Sequence, residues 1–280
     1  MNENVTNDGT ATASVPLIEN EHVKELLGIL NDNKVDSKGL MALLNHVKGM
    51  EDFCKQAENK IADMKCQLDE MKEIQSHPIK TMLQDTIKSL EEKVAAIREQ
   101  ISELKANIID GCKNAVAAFK DKGVTALDKL ASFFRVKSCL EKIKNNTISV
   151  TKDCDKALVK IETFSQEYHF AARGLKNMAR VIIGKEPIDA VKESGKLAHA
   201  FGAPYRAHKT CMSGIRKATN AAIVKVDQLS HNAEVKQEEK AAAKRPSLEE
   251  RLKENKELVR LKDLERGVPE RSTQSRGVAI

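Results

Sequence analysis

Apolar residues recur at alternating steps of three and four along most of this chain. That spacing constrains the fold more than any other feature. From Leu140 the series runs through Ile143, Thr147, Val150, Cys154, Ala157, Ile161, Phe164, Tyr168, Ala171, Leu175 and Met178 to Ile182. Such a seam keeps to one side of a helix and is the pattern of helix-on-helix packing. A second series of the same period follows: Ala198, Phe201, Tyr205, His208, Met212, Ile215, Thr219, Ala222, Val226 and Leu229. Between them stand Gly184, Lys185, Glu186 and Pro187. Gly184 suits the left-handed conformation that closes helices, and Pro187 forbids simple continuation. The two series therefore read as an antiparallel helical hairpin over residues 138–232 with its turn at 184–187. Ser138 and Glu141 form a capping box at its start. Folding about that turn sets Ala157 beside Gly214 and Ile215, and Ala171 beside Ala200 and Phe201. Pro204 stands inside the return limb, where its ring opposes the carbonyl of Ala200, and predicts a break at Gly202-Ala203-Pro204.

The most regular heptad lies upstream. Leu83, Leu90, Ile97 and Leu104 alternate with Ile87, Val94, Ile101 and Ile108. This seam suits a two-stranded coil between chains, and it suits equally an antiparallel pairing within the chain against residues 50–71 or the hairpin. Residues 50–71 carry their own seam of Met50, Cys54, Ala57, Ile61, Met64, Leu68 and Met71. Ser76-His77-Pro78 sets a joint between the two segments, since proline is welcome in a first helical turn and disruptive inside one.

Composition agrees with long helices. Aromatic residues are 3% of the chain, tryptophan is absent and 31% of residues are charged. The fold class is all-α: long coiled-coil helices, an antiparallel hairpin, a disordered N-terminus and a largely disordered C-terminal tail. The expected organisation is a disordered stretch over 1–16, a short helical pair over 17–48, coiled-coil helices over 49–137 with a joint near Pro78, the hairpin over 138–232, and a charged tail over 233–280 with a short helix at 247–264. The core is expected to be thin and spread along the seams, and Tyr168 to lie within it. A linker is expected from Gln237 to Lys244, with Pro246 and Ser247 opening the last helix. No apolar run is long enough to cross a bilayer, and the first 15 residues show no secretory h-region. Cysteines 54, 66, 112, 139, 154 and 211 are scattered without a C-x-x-C pair, which reads as free thiols in a reducing cytoplasm.

Charge is uneven. Residues 172–217 carry 10 basic and 3 acidic side chains, while the whole chain is only +6. The basic residues are Arg173, Lys176, Arg180, Lys185, Lys192, Lys196, Arg206, Lys209, Arg216 and Lys217. They form the candidate contact surface for an anionic partner, including nucleic acid through residues 172–217. The segment from Cys112 to Lys137 is a basic amphipathic stretch that suits either bundle packing or an anionic membrane surface. Asp110-Gly111 loosens the period just before it. No catalytic, cofactor-binding or metal-binding residues are read from the chain. It lacks phosphate-loop, dinucleotide, zinc-protease and nucleophile-elbow motifs, and no small-molecule substrate is evident. Asn31 to Asp36 only superficially resembles a calcium loop, because glycine is missing from its sixth position.

Several blocks together resemble a known family. They are Glu21 to Leu27, Asp110 to Phe119, Glu167-Tyr168-His169 through to Gly184-Lys185-Glu186-Pro187, and Ala243 to Ser247. The resemblance is to an uncharacterised helical family, a domain of unknown function carried on integrative conjugative elements of Gram-positive bacteria. It covers most of residues 17–257 and brings no site residues with it. It implies a bacterial, cytoplasmic accessory of a mobile element. The reading is a non-enzymatic coiled-coil scaffold acting through helix-helix interactions, with self-association or other helical proteins as partners. The alternatives are a nucleic-acid-binding accessory using the basic hairpin tip and a peripheral membrane protein using residues 112–137.

Overall fold

The computed structural model describes residues 16–70, 78–127, 136–188, 195–243 and 248–265, and all regular structure among them is helical. A 3-10 turn at Leu17–Glu19 precedes α1 (Glu21–Asp32), α2 (Lys38–Glu70), α3 (Pro78–Lys122), α4 (Lys137–Ile182), α5 (Lys196–Ala243) and α6 (Leu248–Glu265). The described residues fall into two compact units, divided between Ala233 and Glu234. In the second unit α6 leaves Leu252, Leu258, Val259 and Leu261 exposed. The stretches expected to be disordered at both ends, and Pro246-Ser247, lie outside the described residues apart from Pro16.

Local chemistry opens the first helices. The Asn20 carboxamide accepts from the backbone N–H of His22 at 3.1 Å, and Asp36 accepts from that of Lys38 at 2.9 Å. Each satisfies one of the donors that a helix start leaves without a partner. Pro78 stands at the first position of α3, where its missing N–H removes no internal bond. The capping box expected at Ser138 does not form. Helix α4 begins one residue earlier, after a fully buried Val136 that makes no side-chain cap. Its start is held by hydrophobic anchoring and by Lys137, which pairs with Asp227 of α5 at 2.8 Å.

Helices α2 to α5 form an up-down-up-down bundle. The α2–α3 pair is antiparallel and within the chain. Three ion pairs step along it at seven-residue intervals on both helices: Glu51 with Lys105 at 2.6 Å, Glu58 with Arg98 at 3.4 Å, and Lys65 with Glu91 at 2.7 Å. The α3–α4 pair keeps the same interval. Lys93 pairs with Asp153 and Asn146 donates to the Gln100 carboxamide at 3.1 Å. Lys209 of α5 meets Asp155 of α4 at 2.5 Å. Helix α5 also lies on α2, with Thr219 donating to the Met50 sulfur at 3.1 Å and Gly214 under the Phe53 ring. The ring of four is thus closed, and one continuous core replaces the thin seams expected. Leu90, Ile97, Leu104, Ile108, Leu140, Ile143 and Val150 are fully buried in it. Exposed ion pairs contribute about 0–1 kcal/mol each, so burial holds the bundle together and the ladder mainly fixes its register.

Two local expectations are corrected. Pro204 does not break α5, which runs unbroken through it. Pro204 is buried, facing a small hollow that it lines together with Met64 and Leu68 of α2 and Leu83 and Ile87 of α3, so tertiary burial overrides the lost backbone bond. Helix α3 runs through Asp110-Gly111 to Lys122 and is closed by Gly123 at φ +65°. Gln237 to Ala243 is helical, as the end of α5. Beyond Gly111, Cys112, Ala115, Val116 and Leu127 are buried, and Lys120 reaches Glu25 of α1 at 2.8 Å. These side chains of 112–127 pack into the core, while Val124 is 47% exposed; residues 128–135 lie outside the described ones.

The core holds a few polar side chains, among them Thr147, Ser165, His208 and Thr219. Nδ1 of His208 lies 3.2 Å from the Ala57 carbonyl, which places the ring proton on that nitrogen and leaves Nε2 buried without a partner. Burial pulls its pKa down to about 4, and the Ala57 carbonyl only partly opposes this. The folded-state value is thus below the ordinary 6.5 of an exposed histidine. Its stability contribution is whole above pH 6.5 and is lost as pH falls from 6.5 towards 4, by about 3 kcal/mol in full. Chemical denaturation at pH 7 and pH 4 is expected to show this loss in the native chain and about 3 kcal/mol less of it in His208→Leu. Equal losses would place the acid sensitivity elsewhere.

Two further outcomes test the packing. Leu90→Ala and Ile97→Ala are each expected to lower stability by about 2–5 kcal/mol, with an unfolding midpoint independent of protein concentration because this seam is buried within the chain. Gly214→Ala, which in an exposed helix would stabilise by up to about 1 kcal/mol, is expected to destabilise. Its Cβ would come within 2.7 Å of the Phe53 ring. A raised melting temperature would contradict that close contact.

Candidate docking site at the end of the bundle

The α4 seam changes character at Tyr168. Inward of it, Leu140, Ile143, Val150, Cys154, Ala157 and Ile161 are all buried; outward, Leu175, Met178 and Ile182 are 66, 61 and 80% exposed. Tyr168 itself is 47% exposed and is not the core residue its seam position suggests. The register explains the change. Counting out from the Lys93–Asp153 pair brings Pro78, the first residue of α3, level with Tyr168. Counting out from Lys209–Asp155 brings Lys196, the first residue of α5, to the same level. Helix α4 runs on to Ile182 without them, a projection of roughly 21 Å at about 1.5 Å per residue.

The hairpin register differs accordingly from the expected one. Lys209–Asp155 sets Ala157 level with Ala207, not with Gly214 and Ile215. The pairing is set back by one heptad because the connection is longer than a four-residue turn. At its far side Gly195 is seated against the Ser165 hydroxyl and His169 Nε2, where an added Cβ would approach to 2.3 and 2.4 Å. Both of those polar atoms are buried without a hydrogen-bond partner.

The tip is closed by backbone bonds. Lys185 N–H donates to the Arg180 carbonyl at 2.8 Å and Gly184 N–H to that of Val181 at 3.0 Å, with Gly184 at φ +73°. This is the paired closure that left-handed glycine permits. The chain then folds back along α4. The Asn177 carboxamide bonds both polar groups of Ile188, accepting from its N–H at 2.7 Å and donating to its carbonyl at 3.1 Å. Arg180 Nε donates to the Glu186 carbonyl at 2.7 Å. The outermost side chains, Val181, Ile182 and Ile183, are exposed, as are Phe170 and Ile188.

The cations singled out from the sequence are divided by this geometry. Arg173, Lys176, Arg180 and Lys185 belong to the projection, with Arg173 stacked 5.6 Å over the Phe170 ring. Arg206, Lys209, Arg216 and Lys217 lie along α5 on the bundle body. Arg206 donates to the His199 carbonyl, and Lys209 is paired with Asp155. Along the bundle axis Lys217 stands roughly 50 Å from Arg180, counting 1.5 Å per residue. Lys192 lies outside the described residues, as does the Lys196 side chain. Sequence reasoning found the basic residues but missed the apolar exposure between them. The signal was present: the α4 seam runs several residues longer than any partner could cover.

The rest of the molecule offers little chemistry. Among the described residues no three His, Cys, Asp or Glu side chains gather as a metal-ligand set. All six cysteines are free, and only Cys66 is exposed. Cys154, Tyr205 and His208 share one level of the core, but burial drives each towards its neutral form. The Cys154 thiol is pushed up to about 12, the tyrosine hydroxyl is raised, and the imidazole is lowered. That is the reverse of what an activated nucleophile and its base require. Among the described residues, an open groove between helices is lined by Thr81, Asp85 and Thr86 of α3 and Asp153 and Lys160 of α4. No described helix is long and apolar enough to cross a membrane.

A search of curated proteins returned no match, and a search of solved structures returned none either. The match to a family model is extensive, covering residues 19–274 and so every helix described above. The chain belongs to the family of unknown function DUF6674.

Proposed function

We propose that the protein is a non-enzymatic helical scaffold, an accessory of a bacterial mobile element, that works through its helix-helix contacts. Those contacts hold four antiparallel helices as one rod, and the end of α4 that the rod leaves free is its attachment point. The observation that carries this reading is the abrupt change along one seam, from fully buried at Ile161 to 80% exposed at Ile182. A contiguous apolar patch of this kind on an otherwise charged surface marks an interaction site. The interior, by contrast, is filled with apolar side chains, and among the described residues Cys54, Cys112, Cys139, Cys154 and Cys211 are buried in it.

In-cell crosslinking followed by peptide mapping tests it. Foreign crosslinks are expected to concentrate on residues 168–188. They should fall several-fold in Leu175→Asp and Met178→Asp, which leave the melting temperature within about 2 °C because both side chains are already exposed. Crosslinks spread along the bundle sides, or unchanged in these variants, would refute the assignment. Binding to DNA at low salt that survives charge reversal at Lys176 and Lys185 but not at Arg216 and Lys217 would move the site to α5 and favour a nucleic-acid role.

A further inference from the structure

We infer that the α4 tip docks end-on against an anionic lipid surface. The inference rests on the tip being the attachment point, and it names what the tip attaches to. Two observations point to lipid over a helical partner. The first is the distribution of apolar groups around the axis. A single docking helix would cover the seam side, where Leu175, Met178 and Ile182 lie. Phe170 and Val181 stand about 100° round the axis from that seam, and Ile183 and Ile188 are in the returning segment, yet all are exposed. A planar apolar medium covers this wide arc and the helix end at once.

The second is the axial order. Val181, Ile182, Ile183 and Gly184 form an uncharged end. Arg180 and Lys185 follow one step behind it, joined through the Lys185 N–H bond to the Arg180 carbonyl, and Lys176 and Arg173 come next. Residues 169–188 hold four Lys or Arg side chains against one Glu, so the charge complements an anionic headgroup layer. An apolar end with a cationic flank set just behind it is what a peripheral insertion of about 5–10 Å requires. Each Lys or Arg near such a surface contributes attraction that falls off within a Debye length.

The absence of tryptophan makes the test clean, because a single introduced indole is then the whole signal. The full-length Ile182→Trp chain is mixed with phosphatidylcholine vesicles, with or without an equal part of phosphatidylglycerol. Val159→Trp serves as the reference, since Val159 is exposed on the bundle flank. The expected result for Ile182→Trp is a blue-shifted indole emission, quenched by lipids brominated on the acyl chain, with anionic vesicles only. The Val159→Trp reference is expected to show no shift. Flotation of the native chain should drop about tenfold or more in Ile182→Asp/Ile183→Asp and in Lys176→Glu/Lys185→Glu, and should weaken with salt. Unchanged helicity confirms that these exposed sites do not disturb the fold. No partition onto anionic vesicles at low salt, or partition indifferent to the tip variants, overturns the inference. If partition fails while crosslinks still map to residues 168–188, the lipid assignment is wrong and the scaffold reading stands with a protein at the tip. If partition succeeds through another surface, both fail.

Discussion

Four helices can share a core only over the length that all four run. Everything distinctive in this molecule follows from that constraint. Within the shared length, each seam residue has three neighbouring helices to bury it, and side chains as unassuming as Ala57, Ala157 and Ala222 become fully enclosed. Beyond it, the same spacing of apolar residues on α4 faces water. The register, fixed by pairs such as Lys93–Asp153 and Lys209–Asp155, sets where the change comes. Electrostatics thus has a geometric role here out of proportion to the small free energy of exposed ion pairs.

A large part of the fold was legible because it is periodic. The seams from Met50 to Leu68, Leu83 to Ile108 and Leu140 to Ile161 are buried along their length, and Pro78 and Gly184 mark ends as their backbone restrictions require. What escaped was mostly three-dimensional. The closing of α5 onto α2 depends on Phe53 fitting over Gly214 and on Thr219 meeting Met50, pairs separated by well over a hundred residues. No local pattern announces them. Pro204 misleads for a related reason: its cost is local and visible, whereas the burial that offsets it, beside Met64, Leu68, Leu83 and Ile87, is assembled from two other helices.

The site was half legible. Its cations are plain in the charge distribution, but the sequence merges them with those of α5, since residues 206 to 217 are close along the chain and remote along the bundle. The exposed apolar end was hidden by its own regularity. Tyr168, Leu175 and Met178 look like any other seam residues until the lengths of the neighbours are known. Deciding that needs the register of each pair, and a one-heptad error in the hairpin is enough to hide it.

The returning segment at the tip has a mechanical consequence. After Gly184 the backbone has no helix to satisfy it, and the Asn177 carboxamide takes the place of a neighbouring strand by holding both polar groups of Ile188. That one side chain acts as a splint, turning a lone helix end into a doubled and stiffer spike. An aspartate there would keep the acceptor and lose the donor, so slow hydrolysis of a single amide would unpin half of the splint without touching the bundle. The working life of the tip is in this sense set separately from the stability of the body that carries it.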